Sequence, residues 1–357
     1  MAIVAMIGLT HPHSRMYLDT LDMVDEVAEL VLCDEDADAA REIAGRTPKS
    51  VATYSDPDRA LAHPGVTHAL IALPNDRAVP QIVAAIELGL GVFTEKPGAR
   101  TAAEFQPVLA ALDRQPVPFA AAYLNRWQPS LRQMRDLFQQ GAIGDLHSVE
   151  LRMVTTPVRL RDPNHWLFKG EIAGGGILTW LACHWLDWVR FATGQDYTRV
   201  SAELATLSPE PITVEDTAAV TFRLANGAVG SLHAGYLLST GNVGYEGTNY
   251  DWAIHLRGSH GTLAYRRNAQ GDDPVFMETS APGWRHASPR AYHLTMPRER
   301  GYGGAAGNDF FRTFLAAGPG DAASDLPGAT DALRVLEVLD AIHDASREGR
   351  TVELARH

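Results

Sequence analysis

Short apolar runs alternate with helical patterns through the first part of the chain. Apolar segments fill positions 3–7, 29–33, 68–73, 91–94 and 118–123. Such continuous runs are typical of strands that are buried on both faces of a parallel sheet. The segments between them carry apolar residues at helical spacing, and Thr101 with Glu104 three residues later forms a capping-box pattern. Strands that alternate with helices predict a doubly wound α/β domain.

The pattern changes after about residue 122. Strand-like segments follow one another without helices between positions 198 and 265, and Asn226-Gly227 is typical of a hairpin turn between two of them. Residues 268–304 are rich in Gly, Pro and Arg and predict a long loop. We therefore predict a parallel doubly wound domain over residues 1–122 and an α+β domain with a mainly antiparallel sheet over residues 123–357.

Composition narrows the class of protein. The chain has 357 residues, 45% of them hydrophobic, which excludes a disordered polymer. It carries 43 acidic and 31 basic residues, a net charge of -12, and this argues against nucleic acid as a partner. No apolar stretch of about 18 residues predicts a membrane span, and the N-terminus lacks the basic segment of a signal peptide. With two cysteines and no disulfide framework, we expect a cytoplasmic protein.

The end of the first strand carries part of a dinucleotide-binding pattern. Glycines are expected at relative positions 0, 2 and 5, and the chain has Gly8, Thr10 and His13 there. Asp34 ends the second strand, where a carboxylate can accept hydrogen bonds from the adenosine ribose. Glu35 beside it would repel a ribose 2′-phosphate, so the pattern favours NAD over NADP. The alternative is that Asp34 only caps a helix.

Lysine is rare in this chain, and one lysine follows a strand. Only Lys49, Lys96 and Lys169 are present, while the other basic residues are arginines. Lys96 lies in Glu95-Lys96-Pro97, at the ligand-binding edge of the predicted sheet. A lysine there can bind a substrate hydroxyl and favour its ionised form. The alternative is an ordinary surface lysine.

A glycine-rich segment in the second half introduces an aromatic helix. Gly174, Gly175 and Gly176 permit close backbone approach, and helical spacing then places Trp180, His184 and Asp187 on one face. His184 is suited to removing a hydroxyl proton, with Asp187 orienting its ring. The alternative is a histidine that serves packing alone.

Taken together, these motifs resemble the Gfo/Idh/MocA family of NAD(P)-dependent oxidoreductases. The resemblance covers nearly the whole chain and rests on Gly8, Asp34, the Leu73-Pro74-Asn75 turn, the segment 91–97, the segment 123–129 and the glycine-led helix. It implies a Rossmann domain, then a domain whose large open sheet often makes dimer or tetramer contacts. It also implies Lys96 and His184 as the catalytic pair and sugars, inositols or related polyols as substrates.

The resemblance completes the set of expected site residues. Trp180 stands where family members usually carry Asp, and its ring either stacks on a sugar or fills the site. We predict no metal site, because the histidines at 11, 13, 165, 233 and 255 lack ligand spacing. The expected cofactor-binding residues are Gly8, Thr10, His11, His13, Asp34, Pro74, Asn75 and Glu95. The expected substrate-binding residues are Arg126, His165, Trp166, Trp180 and Asp187.

Three hypotheses for function follow from the sequence. The first is an NAD-dependent sugar or polyol dehydrogenase that forms a homodimer or homotetramer. The second is an enzyme that uses tightly held NAD without net redox change, such as a glycosidase or lyase acting through transient oxidation. The third is a ligand-sensing protein that kept the fold and lost catalysis. Trp180 and the altered glycine loop motivate the third hypothesis.

Overall fold

A computed structural model describes residues 1–239, 250–267, 273–319 and 325–355. The chain folds into two compact units. The first comprises Met1–Trp127 and Met296–Leu336, and the second comprises Gln128–Thr295 and Glu337–His357. The domain boundary predicted after residue 122 places residues 296–336 in the second domain. In the structure these residues pack with the first unit.

The first unit is built on a six-stranded parallel sheet in the order β3-β2-β1-β4-β5-β6. Each strand is followed by a helix or turn, and the strand order reverses between β1 and β4, which confirms the predicted doubly wound topology. Its opening elements are β1 (Ala2–Ile7), α1 (Ser14–Met23), β2 (Val27–Cys33), α2 (Ala37–Ala44), β3 (Ser50–Tyr54), α3 (Pro57–Leu61), β4 (His68–Ile71), α4 (Asn75–Glu87), β5 (Gly91–Thr94), α5 (Ala102–Arg114) and β6 (Phe119–Ala121).

The second unit contains a nine-stranded sheet in the order β14-β13-β12-β11-β7-β10-β9-β8-β15. Of its described strand pairs, only β7 and β10 run parallel, so the predicted mainly antiparallel sheet is confirmed. The remaining elements of the chain are α6 (Pro129–Gln139), β7 (Leu146–Thr155), α7 (Gly170–Ala173), α8 (Cys183–Thr193), β8 (Tyr197–Ala205), β9 (Thr217–Leu224), β10 (Val229–Gly235), β11 (Tyr250–Gly258), β12 (Gly261–Arg266), β13 (Val275–Thr279), β14 (Arg290–Tyr292), α9 (Gly304–Ala316), α10 (Ala329–Glu348) and β15 (Val352–Glu353).

Two strands lie in the segment that the composition predicted as a loop. β13 and β14 both fall within 268–304, and residues 268–272 lie outside the described part. Val275 and Met277 are fully buried, while Phe276 between them is exposed. The loop prediction was therefore wrong for β13, because alternate burial holds the strand in place despite the surrounding Gly, Pro and Arg.

Aromatic packing explains why residues 296–336 return to the first unit. Phe310, Phe311 and Phe314 on α9 are buried, and their rings lie 5.2 to 5.6 Å from the ring of Phe93 on β5. These three side chains cover part of one face of the parallel sheet, which needs an apolar layer on each side.

No helix in the described residues is long and apolar enough to cross a membrane.

Candidate cofactor and active site

Four of the predicted motifs lie just beyond the carboxyl ends of parallel strands in the first unit. Gly8 follows β1, Asp34 follows β2, Pro74 follows β4, and Glu95 and Lys96 follow β5. The carboxyl ends of parallel strands meet at one edge of a sheet, and open α/β sheets bind ligands at that edge. The fold therefore gathers the predicted cofactor motifs at the edge where a nucleotide is expected.

Gly8 is required by its backbone conformation and by its neighbours. Its φ is 91°, and a Cβ atom there would lie 2.2 Å from the carbonyl oxygen of Ala72. Any other residue would be strained and would collide with the chain after β4. The first glycine of the dinucleotide pattern is thus kept for a physical reason.

Asp34 anchors the loop between β1 and α1. Its Oδ2 accepts hydrogen bonds from the backbone N–H groups of Leu9 and Thr10, at 2.7 and 3.1 Å. The cap of α2 is Asp36, whose Oδ1 accepts from two amides of that helix. The alternative that Asp34 serves only as a helix cap is therefore wrong, whereas its role toward a ribose stays a prediction.

The next residues of the loop also use their amide groups internally. The N–H of His13 donates to Nδ1 of His11 at 3.1 Å, and the N–H of Ser14 donates to the carbonyl of His11 at 2.9 Å. Pro12 has no N–H to offer. In dinucleotide folds the amides of this turn bind the pyrophosphate. Four of these amides are thus engaged inside the protein, which leaves fewer of them to bind a phosphate.

A pocket suited to the adenosine end of a dinucleotide opens beside this loop. Its volume is about 250 Å³, and Gly8, Asp34, Glu35, Pro74 and Arg77 are among its lining residues. Nη1 of Arg77 lies 2.7 Å from Oε2 of Glu35. Glu35 thus neutralises the one cationic side chain among the residues that line the pocket. The residues present fit a nucleoside with free ribose hydroxyls.

Glu95 is the centre of a buried hydrogen-bond network. Its side chain is 4% exposed, and Oε1 accepts from the hydroxyl of Tyr17 at 2.6 Å and lies 2.6 Å from Nδ1 of His13. Oε2 accepts from the N–H of Lys96 at 3.0 Å. Burial by itself raises the pKa of Glu95, but the charge and hydrogen bond of His13, with smaller effects of His11 and Lys96, hold that pKa well below its ordinary value.

His11, His13 and Glu95 also form a cluster of metal-ligating atoms that lie within 4.8 Å of one another. The 2.6 Å separation of His13 Nδ1 and Glu95 Oε1 is that of a hydrogen bond. Two ligands on a tetrahedral zinc ion, each bonded at about 2.0–2.1 Å, stand about 3.3 Å apart. The geometry therefore favours a hydrogen-bonded pair, and the absence of a metal site stays a prediction.

Lys96 is buried, with 2% of its surface exposed. The alternative that it is a surface lysine is therefore wrong. The other two lysines contact backbone carbonyls: Nζ of Lys49 donates to Leu21 and Val24, and Nζ of Lys169 donates to Pro211. A buried lysine is costly to maintain in its charged form, and such groups concentrate at functional sites.

Arg126, a predicted substrate residue, belongs to the first unit. It is 4% exposed, and its Nη1 lies 3.2 Å from Oδ2 of Asp331. Asn75, a predicted cofactor residue, begins α4 and is 7% exposed. The ion pair gives Arg126 a structural partner, and its role toward a substrate stays a prediction.

In the second unit, the glycine run allows the helix that follows to approach its neighbours. A Cβ atom on Gly176 would lie 1.9 Å from the carbonyl oxygen of Glu215, and one on Gly175 would lie 2.3 Å from Oγ1 of Thr179. Gly174 has a φ of 79°, which ends the short helix α7. All three glycines are thus explained by close contact or by a left-handed turn.

The helix after the glycines begins with a π-helical turn, Leu178–Ala182, and continues as α8. The N–H of Cys183 donates to the carbonyl of Leu178, five residues earlier. The face proposed from continuous α-helical spacing therefore contains a wider turn between Trp180 and His184. Both residues are 6% exposed. Turns of this kind are frequent at functional sites.

The other predicted substrate residues of this unit are also at least partly buried. Asp187 is 1% exposed. The rings of His165 and Trp166 are 5.5 Å apart, and Nδ1 of His165 accepts from the N–H of Leu167 at 3.3 Å. Burial lowers the pKa of His165, and the nearby charge of Asp162 opposes that effect. A neutral ring that keeps its Nδ1 as an acceptor fits these surroundings.

Three residues of these networks were missed by reasoning from the sequence: Tyr17, Arg77 and Glu215. Tyr17 lies four residues after His13 on α1, so helical spacing could have indicated that it shares a face with His13. Arg77 and Glu215 meet their partners only through the fold, and no local signal identifies them.

Comparisons with known proteins agree with this architecture. An oxidoreductase family model described as an NAD-binding Rossmann fold matches residues 3–123, and the GFO/IDH/MocA C-terminal domain matches residues 131–264. D-apiose dehydrogenase of Paraburkholderia graminis is 26% identical over 349 residues, which are 96% of this chain and 87% of that protein. The chain is similar in fold to levoglucosan dehydrogenase in complex with NADH and levoglucosan, with a TM-score of 0.80, 23% identity and complete coverage of both chains.

Levoglucosan dehydrogenase of Pseudarthrobacter phenanthrenivorans is 29% identical over 220 residues, which are 55% of this chain. That alignment spans about half of the relative, 54% of its length. The two family models together match residues 3–123 and 131–264, and so include most of the chain and residues of both units. The chain belongs to the GFO/IDH/MocA family of oxidoreductases.

Proposed function

We propose that this protein is an NAD-dependent dehydrogenase that oxidises a carbinol of a sugar, an inositol or a related polyol. The observation that carries the proposal is the buried Lys96 beside Glu95 at the carboxyl end of β5, at the edge that also holds the adenosine pocket. Named relatives act on levoglucosan and D-apiose, and a neighbour in fold binds NADH. These similarities support a small polyhydroxylated substrate and a nicotinamide cofactor.

The residues divide the chemistry of such a reaction between them. NAD, when bound, would supply the acceptor for a hydride from the carbinol carbon. Lys96 donates a hydrogen bond to the substrate hydroxyl, and its charge stabilises the oxygen as the proton leaves. His184 receives that proton through its imidazole ring, which helix α8 carries in a buried setting. Trp180 offers an apolar face to a sugar ring, and Asp187 orients the histidine.

The test is turnover of a panel of pyranosides, pentoses and inositols with NAD⁺, followed at 340 nm. We expect at least one member to produce NADH at a rate proportional to enzyme concentration. Turnover without accumulated NADH would indicate the reaction without net redox change. Saturable binding of NAD or of a sugar without any turnover would indicate the ligand-sensing alternative.

The Glu35–Arg77 ion pair predicts how cofactor preference can be changed. In Glu35→Ala, a negative charge beside the ribose 2′ position is removed and Arg77 becomes available to a 2′-phosphate. We expect kcat/KM for NADP⁺ to rise by about tenfold, with little change for NAD⁺, since a hydrogen bond to a charged group contributes roughly 1.5–3 kcal/mol.

The matched control for that change is the double variant Glu35→Ala, Arg77→Ala. It lacks the arginine as well, so the gain with NADP⁺ should disappear. An equal gain in the double variant would show that Arg77 does not contact the phosphate and that the change acts only through loss of the Glu35 charge. Initial rates with both cofactors measure each outcome.

The second sheet supports the further proposal of a homodimer or homotetramer. Alternate residues of β9, Ala219 and Thr221 among them, are exposed on one face, and a groove of about 670 Å³ there is lined by residues that include Glu150 and Arg152. Charges of both signs can complement a second copy across a two-fold axis. Light scattering of the purified protein would measure the mass, and a monomer would contradict the proposal.

We also infer a reducing, cytoplasmic location. Cys33 and Cys183, the two cysteines of the chain, are both buried. Burial, together with the nearby charges of Asp34, Asp56 and Glu35, raises the pKa of Cys33 to about 12, so this thiol is unreactive at neutral pH. Fractionation of the native host would test the location, and recovery outside the cytoplasm would contradict it.

A further inference from the structure

Glu215 binds three consecutive residues at the start of the helix that carries Trp180 and His184. Its Oε2 accepts from the N–H of Gly176 at 2.8 Å, and its Oε1 accepts from the N–H of Leu178 at 3.0 Å. Its backbone carbonyl accepts from the N–H of Ile177 at 3.1 Å. A single residue thus satisfies three adjacent amides, which would otherwise lack partners at a helix start.

The carboxylate is held firmly in that position. Glu215 is 8% exposed, and the next residue, Asp216, is 2% exposed and accepts from the N–H groups of Leu207 and Ser208. A negative charge at a helix start is stabilised by the unpaired amides there. The bond pattern therefore joins the segment just before β9 to the beginning of the π-helical turn.

The lack of a side chain at position 176 is a second, independent sign of this contact. A Cβ atom on Gly176 would lie 1.9 Å from the carbonyl oxygen of Glu215, too close for any other residue. Nε2 of His343 on α10 also lies 3.5 Å from Oε2 of Glu215. The N–H of Gly176 and the imidazole of His343 thus both lie close to the same carboxylate oxygen.

We propose that Glu215 is a positioning residue that fixes the π-helical turn Leu178–Ala182, and with it the side chains of Trp180 and His184. The proposal deepens the proposed function and rests on it, because it requires His184 to act on the substrate. Misplacement of a catalytic group by about 1 Å can reduce a rate by as much as a hundredfold. Loss of Glu215 should therefore lower turnover without removing any group that touches substrate.

The experiment compares Glu215→Gln and Glu215→Ala with the full-length wild-type protein. Glutamine keeps one carbonyl acceptor but turns an NH₂ group toward the other amide, whereas alanine removes both acceptors. Hydrogen–deuterium exchange of peptides from 174–183 should be faster in the glutamine variant and fastest in the alanine variant. Glu210→Gln, a matched change five residues away, should exchange as the wild type does.

Turnover is then measured per NAD-binding site, counted by titration with NAD. We expect kcat per site to fall about threefold in Glu215→Gln and about tenfold in Glu215→Ala, with the dissociation constant of NAD unchanged. A merely structural role would reduce the number of binding sites and leave kcat per site unchanged. An unchanged kcat per site in Glu215→Ala would overturn the proposal.

The hydrogen–deuterium exchange measurement distinguishes a failure of this proposal from a failure of the proposed function. Unchanged exchange of 174–183 in Glu215→Ala would overturn the inference even if the wild type is an active dehydrogenase. If the wild type turns over no substrate, the proposed function fails and the positioning role for catalysis fails with it. Faster exchange in the two variants would then still show that Glu215 holds the turn.

Discussion

Replacing Lys96 with methionine is expected to lower kcat for the best substrate of the panel by about a thousandfold. Methionine keeps the length and apolar stem of lysine but has neither a charge nor a donor. Removal of one preorganised donor to a developing oxyanion costs about 10²–10³ in kcat, and loss of the accompanying charge adds to that. The side chain of Lys96 is only 2% exposed, so solvent cannot replace the missing contact.

The measurement is the steady-state rate of NADH formation at saturating substrate and NAD⁺, which gives kcat. Binding of NAD, followed by quenching of tryptophan fluorescence, should change by less than about tenfold, because the loss falls on the transition state rather than on cofactor binding. Lys49→Met is the control, since Nζ of Lys49 donates only to carbonyls near the end of α1 among its described contacts. Full activity in Lys96→Met would remove Lys96 from the mechanism.

The general architecture and the location of the chemistry could be predicted from the sequence. Continuous apolar runs identified the parallel strands, and the position of Glu95-Lys96-Pro97 after one of them placed Lys96 at the ligand edge. These predictions succeed because burial and strand direction are encoded locally. Lys96, predicted to follow a buried strand, is almost completely buried in the structure.

Long-range contacts account for what the sequence could not show. Glu215 lies 39 residues from Gly176, and nothing near either residue indicates that the two meet. The return of residues 296–336 to the first unit depends on the aromatic face of α9, whose pattern predicts a helix but not the sheet that it covers. The engaged amides of the β1–α1 loop likewise depend on Asp34, which is contributed by a different strand.

Replacing Glu95 with glutamine is expected to reduce the free energy of unfolding by about 3 kcal/mol at pH 7, the order of loss when one partner of a buried charge pair is removed. The amide cannot accept hydrogen bonds from both His13 and the N–H of Lys96, which the carboxylate contacts in the wild type. Urea unfolding of both proteins measures the difference.

The same difference should shrink as the pH falls, and the direction follows from the pKa of Glu95. In the folded protein this pKa lies well below the ordinary value of 4.5, so the carboxylate contributes its full stability above about pH 4.5. Below that value the unfolded chain takes up a proton that the folded protein does not. By pH 4 the gap between wild type and Glu95→Gln should have narrowed by about 1 kcal/mol.

Glu104→Gln provides the control for this pH dependence. Glu104 forms an ion pair with Arg100 four residues earlier, and both side chains are 35% exposed. A half-exposed pair of this kind contributes roughly 0–1 kcal/mol, and glutamine is also tolerated in a capping box, so we expect little change at either pH. The difference in free energy of unfolding between wild type and Glu95→Gln could instead be as large at pH 4 as at pH 7. That result would show that the pKa of Glu95 is not lowered in the folded protein, and that Glu95 stabilises the network through packing and hydrogen bonds rather than through its charge.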